Sequence, residues 1–294
     1  MPGKQVTELD TLPSFTDTSL LPVHNGAGLK KGLLSQLVNY LGNKFSNPNL
    51  LTNPDFKINQ RGETSYTSAV AQTIKIVYSV DRWSLYGHSL TVNSDESVTI
   101  TPTTYSDGAL IQNLETPVDG DITVQVYAVG VSGTATVSVG PSDGSSTTEI
   151  GTLKNGLNTF TFSKGIKRLV IRVKSGTLTL KYTKVEQGSV ATPFVAPNPA
   201  DELIKCQRYY FKRYYYYVFY SGSASFTYIF SDTIPSMRIK PTVDFANTSN
   251  SGLTKAIVSL NTTVKDLTLL IQAVTSKVGN CNVGGTIALD AEIY

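Results

Sequence analysis

The sequence has few of the residues on which several classes of protein depend. Two cysteines and two histidines occur in 294 residues. These are too few cysteines for a disulfide scaffold and too few ligands for a histidine-based zinc site. No apolar run approaches the roughly 18 residues that cross a bilayer, and MPGKQVTELD has no apolar stretch behind Lys4. We therefore expect neither membrane insertion nor a signal peptide. Charged residues are 16% of the chain and the net charge is +3, too small an excess to indicate nucleic acid.

Hydroxyl residues fill the place of the missing charges. The chain has 36 threonines and 29 serines; threonine favours strands and serine favours turns. Between residues 50 and 194, short segments alternate apolar and polar residues, for example 98–101, 122–128 and 169–173. Turn residues separate them. This pattern predicts a mainly β protein whose central part is a jelly roll or β-sandwich.

The chain divides into three predicted domains, residues 1–46, 47–198 and 199–294. In the first, an apolar run at 19–23 is followed by Asn25-Gly26, and leucines from Leu33 to Leu41 at helical spacing end before Gly42. This predicts a small α/β segment with one amphipathic helix, too short to bury its own core. Prolines 193, 197 and 199 mark the second boundary. Residues 201–207 fit a short helix, and 264–274 fit helix or strand, with composition favouring strand.

No motif for catalysis is found. Gly26, Gly28 and Gly32 are too widely spaced for a dinucleotide fingerprint. Asp119 and Asp121 flank Gly120, which favours a solvated turn, with calcium binding or catalysis as alternatives. We expect no catalytic residue, no metal and no cofactor.

Four further residues have simple structural interpretations. Trp83, the one tryptophan, is favoured as a core residue over a sugar-stacking platform. Cys206 and Cys281 are predicted to be buried free thiols. His88 is interpreted as a surface or strand histidine.

The most unusual segment is YYFKRYYYYVFY, residues 209–220, which holds seven of the sixteen tyrosines. On a strand, alternate residues face opposite sides, so both sides of this segment are aromatic. A soluble monomer seldom exposes such a surface. The favoured explanation is a subunit interface, assigned to Tyr209, Tyr210, Phe211 and Phe219. The alternative is a glycan-binding platform, assigned to Tyr214, Tyr215, Tyr216, Tyr217, Lys212 and Arg213. Lys212 and Arg213 among the aromatic residues would also allow binding of single-stranded nucleic acid, but nothing else in the sequence supports that function.

Five segments together resemble a family of bacteriophage and prophage tail-fibre or receptor-binding proteins. They are NLLTNPDFKINQRG (49–62), YSVDRW (78–83), KVEQGSVATPFV (184–195), ELIKCQRYY (202–210) and IPSMRIKPTV (234–243). The resemblance covers about residues 49–294. It implies a jelly roll like that of carbohydrate-binding modules, closed by the KVEQG strand, followed by a C-terminal β-sandwich tip domain.

The resemblance also implies a function. The chain is expected to be a virion structural protein, a short tail fibre or appendage, that recognises a host cell-surface polysaccharide without catalysis. It implies a homotrimer that docks to tail, collar or baseplate proteins through residues 1–46, after synthesis in the host cytoplasm. Two alternatives stay open: the carbohydrate-binding module of a glycan-active enzyme, and a free adhesin.

Overall fold

The structure is a computed structural model that describes residues 20–24, 29–33, 46–68, 76–103, 108–262 and 267–293. Two compact units make up the chain. The first comprises residues 1–48 and 190–195, and the second comprises residues 49–189 and 196–294.

The described part of the first unit contains an antiparallel hairpin. Its strands are β1 (Leu20–His24) and β2 (Leu29–Leu33), with Leu20 opposite Leu33. Within the same unit, Ser46 Oγ donates to the carbonyl of Pro193 at 2.7 Å, and Thr192 Oγ1 accepts from the amide of Asn47 at 2.9 Å. Leu33, the first leucine of the predicted helix, is the last residue of β2. The rest of that predicted helix lies outside the described residues.

Ten strands of the second unit form the first sandwich. They are β3 (Ser65–Thr67), β4 (Val77–Tyr78), β5 (Ser84–Tyr86), β6 (His88–Val92), β7 (Val98–Pro102), β8 (Ala109–Val118), β9 (Ile122–Gly140), β10 (Thr148–Thr152), β11 (Gly156–Phe162) and β12 (Ile166–Gln187). The hydrogen-bonded order is β3-β6-β7-β12-β8-β5-β4, and β9 pairs with β10, β11 and β12.

Two long bent strands, β9 and β12, connect the layers of this sandwich. The first part of β12 pairs with β8 and a later part pairs with β7, while β9 follows β12 along its length. At the bend, Gly133 pairs with Gly176, and the φ angles of these glycines are +87° and +72°. These are left-handed conformations that a residue with a Cβ adopts only with strain. The glycine pair therefore allows both long strands to bend, so that each contributes to both layers of the sandwich.

The core of the first sandwich contains the alternating apolar residues of its strands. Trp83 is fully buried there, against Phe56, and its Nε1 donates to the carbonyl of Asn53 at 2.8 Å. His88 lies on β6 and is also buried, and its Nε2 accepts from the amide of Val173. Burial lowers the pKa of His88. Trp83 as a core residue and His88 as a strand histidine are confirmed.

A second sandwich follows a short helix. The helix is α1 (Pro199–Gln207), and the strands are β13 (Tyr210–Ser221), β14 (Thr227–Thr233), β15 (Thr242–Ser251), β16 (Leu253–Thr262), β17 (Leu267–Thr275) and β18 (Gly279–Asp290). The side chain of Asn198 caps α1 by accepting from the amides of Ala200 and Asp201. One sheet has the order β13-β18-β15 and the other has the order β14-β17-β16.

The second core lies between these two sheets. Its buried residues include Phe211, Tyr215, Ile271, Val283 and Ile287. Cys206 and Cys281 are free and buried, and burial raises the pKa of the Cys206 thiol. The mainly β fold class, the short helix, the strand at 267–275 and the buried thiols are confirmed.

Candidate functional site

The tyrosine-rich segment forms strand β13, at the edge of its sheet. Its side chains alternate between the core and the outside, as a strand requires. Those that face the core are Phe211, Tyr215, Tyr217 and Phe219, and those that face outward are Lys212, Tyr214, Tyr216, Val218 and Tyr220. The sequence predicts these two groups, and the structure shows which of them is outside.

We call Tyr214, Tyr216, Val218 and Tyr220 the tyrosine face. Their exposed fractions are 55%, 51%, 66% and 66%. Four neighbouring outward positions on one strand are thus large and apolar, three of them with a phenol hydroxyl. Most large apolar residues of a folded chain are buried, and a contiguous exposed group of this kind marks an interaction surface.

A glycine on the adjacent strand sets the orientation of two of these rings. Tyr216 is paired with Gly284 of β18. A Cβ built on Gly284 would lie 2.5 Å from Cδ2 of Tyr216 and 3.2 Å from the hydroxyl of Tyr214. The ring of Tyr216 and the hydroxyl of Tyr214 therefore occupy space over the glycine that a side chain there would fill.

Polar residues of β18 and β15 surround the tyrosine face. Thr286 is opposite Tyr214, and Asn282 is opposite Val218. Ser249 Oγ on β15 donates to Oδ1 of Asn282 at 3.3 Å. Hydroxyl and amide groups thus lie beside the phenol rings on the same side of the sheet.

The two cations assigned to glycan binding lie in different places. Lys212 shares the side of the tyrosine face, and its Nζ donates to the carbonyl of Arg61 at 2.7 Å. Arg213 points to the other side, where its guanidinium is 3.4 Å from the carboxylate of Asp232 and 5.2 Å from the ring centre of Tyr215. The tyrosine face therefore has one neighbouring cation, not two.

Tyr215 and Tyr217, also assigned to glycan binding, point into the sandwich. Tyr215 is buried, and Tyr217 is half-buried against Phe230, with ring centres 4.5 Å apart. Burial raises the pKa of both phenols. The structure therefore divides the predicted glycan-binding group: Tyr214 and Tyr216 lie on the exposed face, and their two neighbours stabilise the core beneath it.

The residues assigned to a subunit interface make contacts within their own chain. Phe211 and Phe219 pack in the second core. Tyr209 lies under the guanidinium of Arg82, 3.6 Å from its ring centre, and Tyr210 lies in the same way under Arg61 at 3.8 Å. The burial of these aromatic residues is thus explained by the fold of a single chain.

The two arginines belong to a buried polar cluster that joins the two sandwiches, which we call the junction. Arg82 Nη1 donates to Oε2 of Glu292 at 2.7 Å. The guanidinium of Arg61 is 3.6 Å from the carboxylates of both Asp81 and Glu292. Burial raises the pKa of Asp81 to about 6 and also raises that of Glu292.

Further hydrogen bonds cross the junction. The amide of Asn53 donates to Oε1 of Glu202 at 2.6 Å, and Gln60 Nε2 donates to the carbonyl of Tyr210 at 2.7 Å. The contributing residues come from three short segments, 49–62, 78–83 and 202–210, and from Glu292 after the last strand. Sequence reasoning missed this role. The signal was the adjacent arginine and acid of YSVDRW in a chain poor in charge.

The other candidate residues are less suited to binding a ligand or a metal. Asp119 accepts a hydrogen bond from Ser142 in an exposed turn, and Asp121 lines a shallow cavity of about 300 Å³ with Thr161 and Ser189. Among the described residues, no three His, Cys, Asp or Glu side chains come together as a metal site. Within the same residues, no helix reaches the length and hydropathy needed to cross a bilayer.

A cleft of about 220 Å³ lies beside the junction and is lined in part by Arg82, Gln112, Glu115 and Tyr209. Two of its main polar side chains are already engaged, because Glu115 accepts from Arg208 and Tyr209, and Gln112 bonds the backbone of Thr52. The tyrosine face is therefore the stronger candidate for a binding site.

No protein-family model and no curated protein matches the chain. Among solved structures, the chain is similar to family 29 carbohydrate-binding modules. A CBM29-2 variant complexed with cellulohexaose is 14% identical and has a TM-score of 0.28, over 41% of this chain and 84% of the module. A variant complexed with mannohexaose gives the same values. A third variant is 15% identical over 46% of this chain and 100% of the module, with a TM-score of 0.29. Similarity at this level assigns no function.

Proposed function

We propose that the chain is a non-catalytic carbohydrate-binding protein and that the tyrosine face contacts a sugar ring of a cell-surface polysaccharide. The observation that carries this proposal is the position of Tyr214 and Tyr216, which are half exposed on one side of β13, with the ring of Tyr216 and the hydroxyl of Tyr214 over Gly284. A phenol ring offers a large, stiff, apolar surface with a hydroxyl at its tip, at low cost in conformational entropy. A pyranose has the matching chemistry, since its C–H groups form apolar faces and its hydroxyls form a polar edge.

The surroundings of the rings support a sugar as the ligand. Thr286 and Asn282 lie beside the tyrosine face, so hydroxyl and amide groups are available to the polar edge of a stacked sugar. The rings are fixed on a sheet and not on a loop, which reduces the entropy lost on binding.

Two alanine variants test this function. Tyr214→Ala and Tyr216→Ala are expected to weaken binding at least about fivefold, on the scale of the roughly 1–3 kcal/mol that stacking on one aromatic ring contributes for a nucleobase. The measurement is binding to an array of neutral and acidic bacterial polysaccharides. The matched control is Ile229→Ala, because Ile229 is 58% exposed on the outer side of the other sheet of the same sandwich. Wild-type binding by both tyrosine variants, with the fold intact, would overturn the proposal.

We also propose that the chain serves on a phage particle, as a short tail fibre or appendage. The family resemblance in segments 49–62, 78–83, 184–195, 202–210 and 234–243 supports this setting. In it, residues 1–46 attach the protein to other virion proteins. Deletion of residues 1–46 is expected to leave polysaccharide binding unchanged and to abolish incorporation into particles. Particles that still contain the deleted chain would contradict the docking role, and full-length chain that binds polysaccharide but is absent from particles would favour a free adhesin.

A further inference from the structure

The edge of β13 carries backbone groups that point away from its sheet. The amide of Ala291 donates to the carbonyl of Tyr209, and Tyr209 is in register with Ala291 because Tyr210 is opposite Asp290. In an antiparallel pair, hydrogen-bonded positions alternate along the strand. The odd-numbered residues of β13 therefore bond to β18, and the even-numbered residues direct their N–H and C=O groups outward.

The chain's own side chains cover both ends of this edge. Gln60 Nε2 donates to the carbonyl of Tyr210 at 2.7 Å, and the hydroxyl of Tyr228 donates to the carbonyl of Tyr220 at 3.2 Å. Between these ends, the outward N–H and C=O groups of Tyr214, Tyr216 and Val218 have no hydrogen-bond partner in the described part of the chain. We call these three residues the open edge.

An open edge of this kind is a template for another strand. Unpaired N–H and C=O groups in a row accept a strand from another chain, and main-chain hydrogen bonds give such additions their affinity. Natural edge strands usually prevent this with charges or proline. The three residues of the open edge have neither, and the one outward charge of β13, Lys212, lies beside its end.

We infer that the open edge pairs with the open edge of a second copy of this chain, antiparallel and centred on Tyr216. The two-fold axis then lies between the two Tyr216 residues, and Tyr214 of each copy lies opposite Val218 of the other. Each open-edge residue supplies one N–H and one C=O, so three such residues give six hydrogen bonds between the copies.

The charge pattern supports a second copy as the occupant. In this register, no two like charges face one another along the strand pair, because Lys212 is the one charged residue on the outward side of β13. The interface is isologous, as in the commonest symmetric oligomers. The side chains of both copies project from the same side of the joined sheet, so the two tyrosine faces become one continuous surface.

A charge-swap experiment tests the register directly, with the full chain and without any glycan. Light scattering of the wild type at micromolar concentration is expected to give twice the 31.8 kDa chain mass. Tyr216→Lys and Tyr216→Glu are each expected to give the mass of one chain, because equal charges meet on the axis. An equimolar mixture of the two variants is expected to recover the doubled mass. Ile229→Lys and Ile229→Glu are the controls and should keep the wild-type mass.

A second pair of variants keeps the test valid if the charged variants unfold. The N–H of Val218 points outward, so Val218→Pro removes a donor of the open edge and none of the β18 ladder. It is expected to give one chain mass, while Val218→Ala stays at two. A wild-type mass of one chain, or the trimer mass that the family resemblance implies, would overturn the inference. Two-chain masses for both charge variants, or a mixture that stays at one chain, would do the same. Loss of polysaccharide binding leaves these results unaffected.

Discussion

The guanidinium of Arg82 donates to the carboxylate of Glu292 across 2.7 Å, and both side chains are almost completely buried between the two sandwiches. This pair joins a tight turn of the first sandwich to the segment that follows the last strand of the second. The two residues are 210 positions apart in sequence. The junction therefore depends on contacts that neither sandwich makes by itself.

The first prediction concerns this pair. Arg82→Met keeps much of the length of the side chain and removes its charge, which leaves the buried carboxylate of Glu292 without its nearest partner. Breaking a buried pair in this way costs about 3–5 kcal/mol, so we expect a loss of that size in the free energy of unfolding, measured by urea denaturation. The control is Glu149→Gln, since Glu149 lies 2.9 Å from Lys174 in an exposed pair and should lose less than about 1 kcal/mol. Equal losses in the two variants would contradict the prediction.

The second prediction concerns pH. Burial raises the pKa of Asp81 to about 6 from 3.8, so the folded protein binds a proton there more tightly than the unfolded chain does. Stability from this group is present below pH 4 and is lost as the pH rises through 6. Between about pH 5 and about pH 7.5 the loss is about 1.4 kcal/mol. The raised pKa of Glu292 acts in the same direction.

The groups that face Asp81 define the control. Arg61 and Glu292 interact with it electrostatically, and Gln60 donates to both of its oxygens. Asp81→Asn is expected to flatten the decrease in the free energy of unfolding across this pH range, measured by urea denaturation at each pH. The same slope in the variant and the wild type would show that Asp81 is not responsible.

The third prediction concerns the bend in the long strands. A Cβ on Gly176 would lie 1.8 Å from the carbonyl oxygen of Ser132, whereas a Cβ on Gly120, with a φ of +85°, meets nothing within 4 Å. Gly120→Ala therefore has only the cost of the left-handed backbone, about 1–2 kcal/mol. Gly176→Ala adds a collision with backbone and should lose at least about 2 kcal/mol more. Thermal and urea unfolding measure both. Similar losses would mean that the strands adjust without the glycine.

The fourth prediction concerns salt. Lys212 and Arg213 are the two cations of the predicted glycan-binding group, but Arg213 lies on the opposite side of β13 from the tyrosine face and is paired with Asp232. Stacking on uncharged rings is not screened by ions. We therefore expect binding to a neutral polysaccharide to change less than about twofold between low and high sodium chloride, measured by retention on an immobilised polysaccharide. A tenfold decrease would show that ionic contacts dominate.

Periodicity predicts much of this fold because a strand imposes its two-residue repeat on the sequence. It places Tyr214 and Tyr216 on one side of β13 and Tyr215 and Tyr217 on the other. It does not say which side is buried, because both sides are aromatic and the choice depends on what packs against them. Tyr217 contacts the side chain of Phe230. Phe230 belongs to another strand, so this contact cannot be read from the sequence of β13.

The junction is hidden from sequence reasoning for a related reason. Arg61, Asp81 and Glu292 are charged residues, and charged residues are usually exposed. Their burial becomes intelligible only when three distant parts of the chain are brought together. The role of Gly284 is hidden in the same way: it leaves room for the ring of Tyr216 and the hydroxyl of Tyr214, and this becomes visible only once β13 and β18 are paired.

The separation of Arg82 and Glu292 also has a consequence during synthesis. Ribosomes add about 5–20 residues per second, so Glu292 follows Arg82 by roughly 10–40 s. Throughout that interval the first sandwich can leave the ribosome, but the side chains of Arg61 and Arg82 have no carboxylate from Glu292 to meet. They stay hydrated until the second sandwich is complete. The order of translation thus makes the closure of the junction a late event, and a chain interrupted before Glu292 keeps this surface open to water and to chaperones.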